Sequence, residues 1–322
     1  MATSLTPPPL APKSVDEESW NHVKTAFDLT MSGSGLNHER FMIAYQAAYD
    51  CFASTSRVPR SDGKNTELLS ENRSPPDLYT KIEEYFGPGC FDEWREKAEI
   101  LDSEDLLGYW TSQWRIYHSA ATEADRICTY LNLHWVKRLR DEGRRDVYPI
   151  YQLALLAWNK YFLLPLQQHD RRLTRALVGL ARRHHQGETI DVGLMKSVLS
   201  SLVSLGINNE NLQLISLDIY KENFETEFLE DAEEHLRRVL DRLAFEPQSA
   251  DEYLDLMMAC FKEEKEYVSG AKEYIHPTTE EKLKQRCELT FLGEREQARW
   301  EVAGGSSVLE PKPQLAEPDR WL

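Results

Sequence analysis

The 322-residue sequence has no run of 18 apolar residues, so nothing in it reads as a membrane-spanning helix. It contains no GxGxxG and no GxxxxGK, which removes the usual phosphate-cradling loops. It also has no HExxH and no paired CxxC units, so zinc sites of standard spacing are missing. Cysteine is scarce and odd in number: Cys51, Cys90, Cys128, Cys260 and Cys287 lie far apart. Such thiols are expected to be reduced and buried, as in a cytoplasmic or nuclear protein. Positive charge is short too, with 38 Lys and Arg against 54 Asp and Glu and a net charge of −16. An acidic surface repels phosphate backbones and anionic lipid, so neither nucleic acid nor membrane is an expected partner. The first residues, MATSLTPPPLAPKSVDEES, have no basic stretch followed by an apolar core, and so do not read as a signal peptide.

Helical patterning fills the space. Apolar residues recur at three- and four-residue intervals through most of the chain, and no segment alternates convincingly at period two, which predicts an all-α protein of about eleven helices. A Pro-rich tail is expected over 1–14, with Ser14 and Glu17 as a capping box for the first helix. Trp20, Val23 and Phe27 form that helix's buried stripe. A second helix runs from about Asn37 to Ser54, and a polar Pro/Gly/Ser/Asn loop follows to Pro76. Pro149 opens a strongly apolar helix, while Gly187, Gly206 and Pro247 punctuate the later ones.

The residues that could carry chemistry do not converge. His184 and His185 are adjacent, and neighbours on a helix point about 100° apart, a poor arrangement for one metal ion. Glu263-Glu264 and Glu280-Glu281 lie in charged helix faces that give neither carboxyl a distinct environment. Cys128 and His134 fall on different faces of one helix. The basic run Arg171, Arg172, Arg175, Arg182 and Arg183 flanks Leu173, Leu177 and Leu180, as a solvated face flanks a buried one. No enzyme, cofactor or metal site is expected.

Residues 120–158, AATEADRICTYLNLHWVKRLRDEGRRDVYPIYQLALLAW, organise the rest. Ile127, Cys128, Leu131 and Trp135 share a core stripe, while Arg126, Tyr130, Leu133, His134 and Lys137 share the opposite side. A ring, an aliphatic side chain and polar groups together suit a partner-facing surface. In the second helix, apolar and aromatic residues cover nearly half the circumference, more than one core contact needs. Either the helix is buried all round, or Phe41, Ala44, Tyr45 and Ala48 face a partner.

These segments carry a resemblance. ICTYLNLHWVKR, DEGRRDVYPIY and LALLAW are similar to the cullin family, its cullin-1 branch in particular. RFMIAYQAAYDCF, YWTSQWRIYH, GETIDVGLMKSVLSSLVSLG, YKENFETEFL and EYIHPTTEEKLKQRCE continue it in order over roughly residues 15–290. The resemblance implies an elongated stack of helical bundles built from five-helix cullin repeats. It places a first, adaptor-binding repeat at 15–147, a second at 148–275, and an incomplete third with a flexible tail at 276–322. It implies a non-catalytic scaffold arm of an SCF-type ubiquitin ligase, which binds a BTB/POZ-fold adaptor carrying an F-box substrate receptor for ubiquitin-dependent degradation. The contact set it implies is Phe41, Ala44, Tyr45 and Ala48 on one helix, with Arg126, Tyr130, Leu133, His134 and Lys137 on the other. Ala44 departs from the larger aliphatic residue usual at its position in the family.

After Thr290 the chain turns rich in Gly, Pro and Ser and ends, where a full cullin continues into the domain that binds the RING subunit. The sequence therefore leads one to expect no RING partner. It leaves open a truncated decoy, or a helical scaffold of the tethering-complex type with no role in ubiquitin transfer.

Overall fold

The computed structural model describes residues 17–56, 77–168, 170–245 and 250–302. The expectations for the Pro-rich start, the Ser14 cap, Pro247, most of the polar loop and the last twenty residues fall outside these. The described chain is helical, and its only β feature is an isolated antiparallel bridge between Ile207 and Ile215. The predicted all-α class is what is found.

Helix α1 (Glu17–Met31) buries Trp20, Val23, Ala26 and Phe27 and ends where Gly33 takes a φ of +73°. Helix α2 (His38–Ser56) starts with the Asn37 side chain accepting the Arg40 N–H at 2.9 Å. Helices α3 (Asp77–Tyr85) and α4 (Asp92–Glu99) follow. Next comes a nearly continuous stretch, the rod. It consists of α5 (Ser103–Ile127), α6 (Thr129–Leu131), a π-helical turn Asn132–Val136 and α7 (Lys137–Asp141). The α-helical conformation is interrupted at Cys128, whose φ and ψ are −95° and +19°. Its N–H still donates to Ala124 O and its carbonyl accepts from Asn132 N–H, both at 3.0 Å. Beside it the Thr129 hydroxyl donates back to Arg126 O at 2.7 Å.

Helix α8 (Ile150–Trp158) continues through a second π turn, Asn159–Leu163, into α9 (Leu164–Gln168). Helices α10 (Arg172–His185), α11 (Val192–Ser204) and α12 (Asp218–Tyr220) lead to a third π turn, Lys221–Glu225. The chain finishes with α13 (Thr226–Phe245), α14 (Ala250–Ala271) and α15 (Pro277–Val302), so helix persists about a dozen residues beyond Thr290.

The chain forms two compact units. The first runs to Phe228 and takes in Glu273–Ile275. Helix α5 is its centre, packing against α1, α2, α4, α8, α10 and α11. Trp158, fully buried, lies within 6.0 Å of the ring centroids of Phe91, Trp94, Trp110, Trp114, Tyr117 and Phe162. Aromatic rings in such edge and tilted arrangements add to the benefit of burial itself. Two of their polar tips find partners, Tyr117 donating to Ala154 O at 2.7 Å and Trp110 Nε1 to Ser201 Oγ at 2.8 Å, whereas the buried Trp158 indole N–H has none. Gly206 closes the α11 turn, because a Cβ there would lie 1.7 Å from Ser216 O. Any other residue would push the two strands of that loop apart.

The second unit comprises Leu229–Lys272 and the chain from His276. Leu236, Leu240, Met257, Cys260 and Phe291 make its core, and Phe261 meets Phe291 edge-on at 5.0 Å. Arg286 on α15 pairs with Glu233 on α13 at 2.9 Å.

Candidate functional site: an aromatic docking face

Helix α2 packs against both α5 and α6, so the two segments singled out from sequence lie side by side. What joins them on the solvent side is aromatic. Tyr130 meets Tyr49 edge-on at 4.8 Å and Phe52 at 5.5 Å, while His134 lies tilted over the Tyr130 ring at 4.1 Å. Phe41 stacks along α2 with Tyr45 at 6.3 Å, and the Arg126 guanidinium sits 4.9 Å from the Phe41 ring centre. A guanidinium over a ring face is attracted by the ring's negative π surface.

Seven of the nine residues named from sequence are accessible. Arg126, Leu133, His134 and Lys137 are exposed, and Phe41, Tyr45 and Tyr130 are half-buried. The other two are corrected: Ala44 and Ala48 point inward, 0% and 3% exposed, with Ala47 and Cys51 beside them. The reason is steric. Small side chains let α2 approach α1 and α5 closely, and the bulky rings at the edge of that seam are turned outward.

The sequence reading passed over part of this surface. Met42, Ile43 and Tyr49 are exposed apolar residues, 46%, 44% and 37% accessible, and Leu133 is 56% accessible. At about 100° per residue, Phe41, Tyr45, Tyr49, Phe52 and Met42 form one outward arc, and Ile43 lies across the buried alanines from it. Their number around the helix was the available signal. Adjacent large apolar side chains of this kind mark interaction sites when they gather in one place.

The cations of the face already have neighbours on their own helix. Arg126 pairs with Glu123 at 2.7 Å and Lys137 with Asp141 at 2.6 Å. Exposed pairs like these contribute little to stability, and they leave the face near neutral. The basic run on α10 is likewise compensated. Arg171 pairs with Glu227, Arg175 with Asp170 at 3.0 Å, and Arg183 with both Glu104 and Glu188.

A cavity of about 380 Å³ lies between α3, the rod and α8, walled by Tyr79, Trp135, Tyr148 and Tyr161. The Tyr79 hydroxyl donates to Tyr148 O and accepts the Tyr148 N–H, both at 3.1 Å, and burial pushes its pKa up to about 12. Arg144 and Asp146 at the rim bind each other. Cys128 is buried, with burial holding its thiol far above the usual range, whereas His134 is exposed on the opposite side. No helix among the described residues is long and apolar enough to cross a membrane.

Comparison with known proteins gives this geometry a context. Residues 20–310 match the family described as the cullin alpha solenoid domain. A cullin-1 of Dictyostelium discoideum is 29% identical over 274 residues, 84% of this chain and 34% of that protein. A cullin-1 of Caenorhabditis elegans is 28% identical over 229 residues, 66% of this chain and 29% of its own length. A putative cullin-like protein 2 of Arabidopsis thaliana is 26% identical over 238 residues, 72% of this chain and 58% of that relative. The chain thus spans about a third of the length of the two cullin-1 relatives.

Proposed function

The chain belongs to the cullin family, and on that premise we propose that it is a non-catalytic scaffold arm whose α2–rod face binds a BTB/POZ-fold adaptor. The adaptor would carry an F-box substrate receptor, and the assembly would serve ubiquitin-dependent protein degradation. One observation supports this above the others: two neighbouring helices send Phe41, Tyr45, Tyr49 and Tyr130 to one accessible seam. Aromatic residues in the middle of such a patch tend to dominate binding energy. The repeat boundaries at 147 and 275 belong to the same proposal, at a finer grain than the two compact units, since neighbouring repeats of a solenoid share their interfaces. Work in the cytoplasm and nucleus is proposed too, supported by five cysteines that form no disulfide.

The test is capture of the purified adaptor–F-box complex by the full chain and by Tyr45→Ala/Tyr130→Ala, with helical content followed by circular dichroism. Loss of capture at unchanged helicity is expected. Undiminished capture by the double variant would overturn the assignment.

A further inference from the structure

Helix α8 begins just after Pro149, so its first N–H groups have no acceptor within their own helix. Two of them are taken by side chains of the rod. Ile150 N–H donates to Asn132 Oδ1 at 3.1 Å, and Tyr151 N–H donates to Asp125 Oδ1 at 3.0 Å. Asn132 Nδ2 closes the network by donating to the same Asp125 oxygen at 2.8 Å. A carboxylate at this end of α8 is also favoured by the partial positive charge of the helix start.

The placement of these two residues gives the network its significance. Asp125 and Asn132 straddle the break at Cys128, and Asn132 opens the π turn that carries Leu133 and His134. Tyr130 lies between them in sequence, with its ring against Tyr49 and Phe52. An interrupted helix can rotate about its break. Here the segment after the break is tied to the start of α8 by directional bonds, as well as by packing.

We infer that Asp125 and Asn132 are positioning residues for the docking face. By capping α8 they fix the rotation of the segment bearing Tyr130, Leu133 and His134 relative to α2. This inference rests on the docking reading above.

The network can be broken at one residue and kept by a conservative change at the other, which supplies the test. Asn132→Asp sets two carboxylates against each other and removes the internal donor. In Asp125→Asn the side-chain carbonyl oxygen takes the place of the carboxylate oxygen and still accepts from both Tyr151 N–H and Asn132 Nδ2, so this variant keeps every bond of the network.

Affinity for the adaptor–F-box complex is measured for the full wild-type chain, both variants and Ser201→Ala, with a thermal melt for each. Asn132→Asp is expected to weaken binding about tenfold and Asp125→Asn to stay within about threefold of wild type, since only the first removes a donor and sets two half-buried acceptors against each other. Ser201→Ala removes the acceptor of Trp110; it is expected to lower the melting temperature without changing affinity. If Asn132→Asp loses its cooperative melt, Asp125→Ala replaces it, because it strips one cap from α8 and leaves the Asn132–Ile150 bond.

Wild-type affinity in Asn132→Asp or in its folded substitute, or a tenfold loss in Asp125→Asn, overturns the positioning role alone. A wild-type chain that does not bind the adaptor overturns the docking reading beneath it.

Discussion

The ring of Tyr130 stands edge-on to that of Tyr49, centroids 4.8 Å apart and planes at 78°. The seam between α2 and the rod is therefore closed on its outer side by an aromatic pair. Edge-to-face pairs contribute about 0.5–1.5 kcal/mol beyond the area they bury. A double-mutant cycle of Tyr49→Ala and Tyr130→Ala, read by urea unfolding, is expected to return a coupling in that range. Additive single losses would show that the rings are neighbours without being partners.

Ala44 and Ala48 separate packing from docking. Both are buried beside Ala47 and Cys51, and extra methylenes in a filled site cost about 1–3 kcal/mol. Ala44→Leu and Ala48→Leu are each expected to lower the urea midpoint accordingly. A neutral result would mean that these positions have room, as a partner-facing site would.

Ser201 holds the α5–α11 contact from within. Its hydroxyl accepts from Trp110 Nε1 and itself donates to Val198 O at 2.6 Å. Ser201→Ala leaves a fully buried indole N–H without an acceptor, a loss of about 1–3 kcal/mol. Differential scanning calorimetry checks this directly, and an unchanged melting temperature would argue against the bond.

His118 should make stability depend on acidity. It is bonded to the Tyr151 hydroxyl at 2.9 Å, and burial lowers its pKa from the ordinary value of 6.5. The unfolded chain therefore binds a proton before the folded one does. This contribution is intact above about pH 6.5 and is lost progressively as pH falls below it. Between pH 7 and pH 5 the wild type is expected to lose more stability than His118→Gln. Parallel curves for the two proteins would remove His118 from the effect.

The thiols should be inert while the chain is folded. Burial pushes Cys260 up to about 11, and Cys90 and Cys287 up to about 12. The reactive species is the thiolate, so alkylation at pH 8 is expected to be slow in native protein and about a hundredfold faster in denaturant. Mass spectrometry after a timed iodoacetamide pulse would report any cysteine that breaks this pattern.

Much of the architecture was legible in the sequence because it is periodic. Ile127, Cys128, Leu131 and Trp135 read as one stripe and are one buried stripe, and Gly206 read as a stop and sits where no Cβ fits. Alanine was the weak point of that reading. Ala44 and Ala48 are tolerated on either side of a helix, so their wheel positions at the edge of the aromatic arc did not reveal that they face inward. The π turns were invisible for a different reason: one extra residue in a turn leaves no composition signature. The bonds from Asp125 and Asn132 to the start of α8 cross 26 and 18 positions, a separation over which local patterns carry no information. The continuation of α15 to Val302 was hidden by the Gly-, Pro- and Ser-rich residues just beyond it.

The distribution of bulk on α2 bears on how the protein behaves in a test tube. Its inner side is built largely from alanine, whereas Met42 and Tyr49 lie open on the outer side with Leu133 on the adjoining rod. Such a helix cannot withdraw its greasy side chains by turning, because the large residues would not fit where the small ones are. Chain produced on its own should therefore self-associate as its concentration rises, and a covering partner added during expression should suppress this.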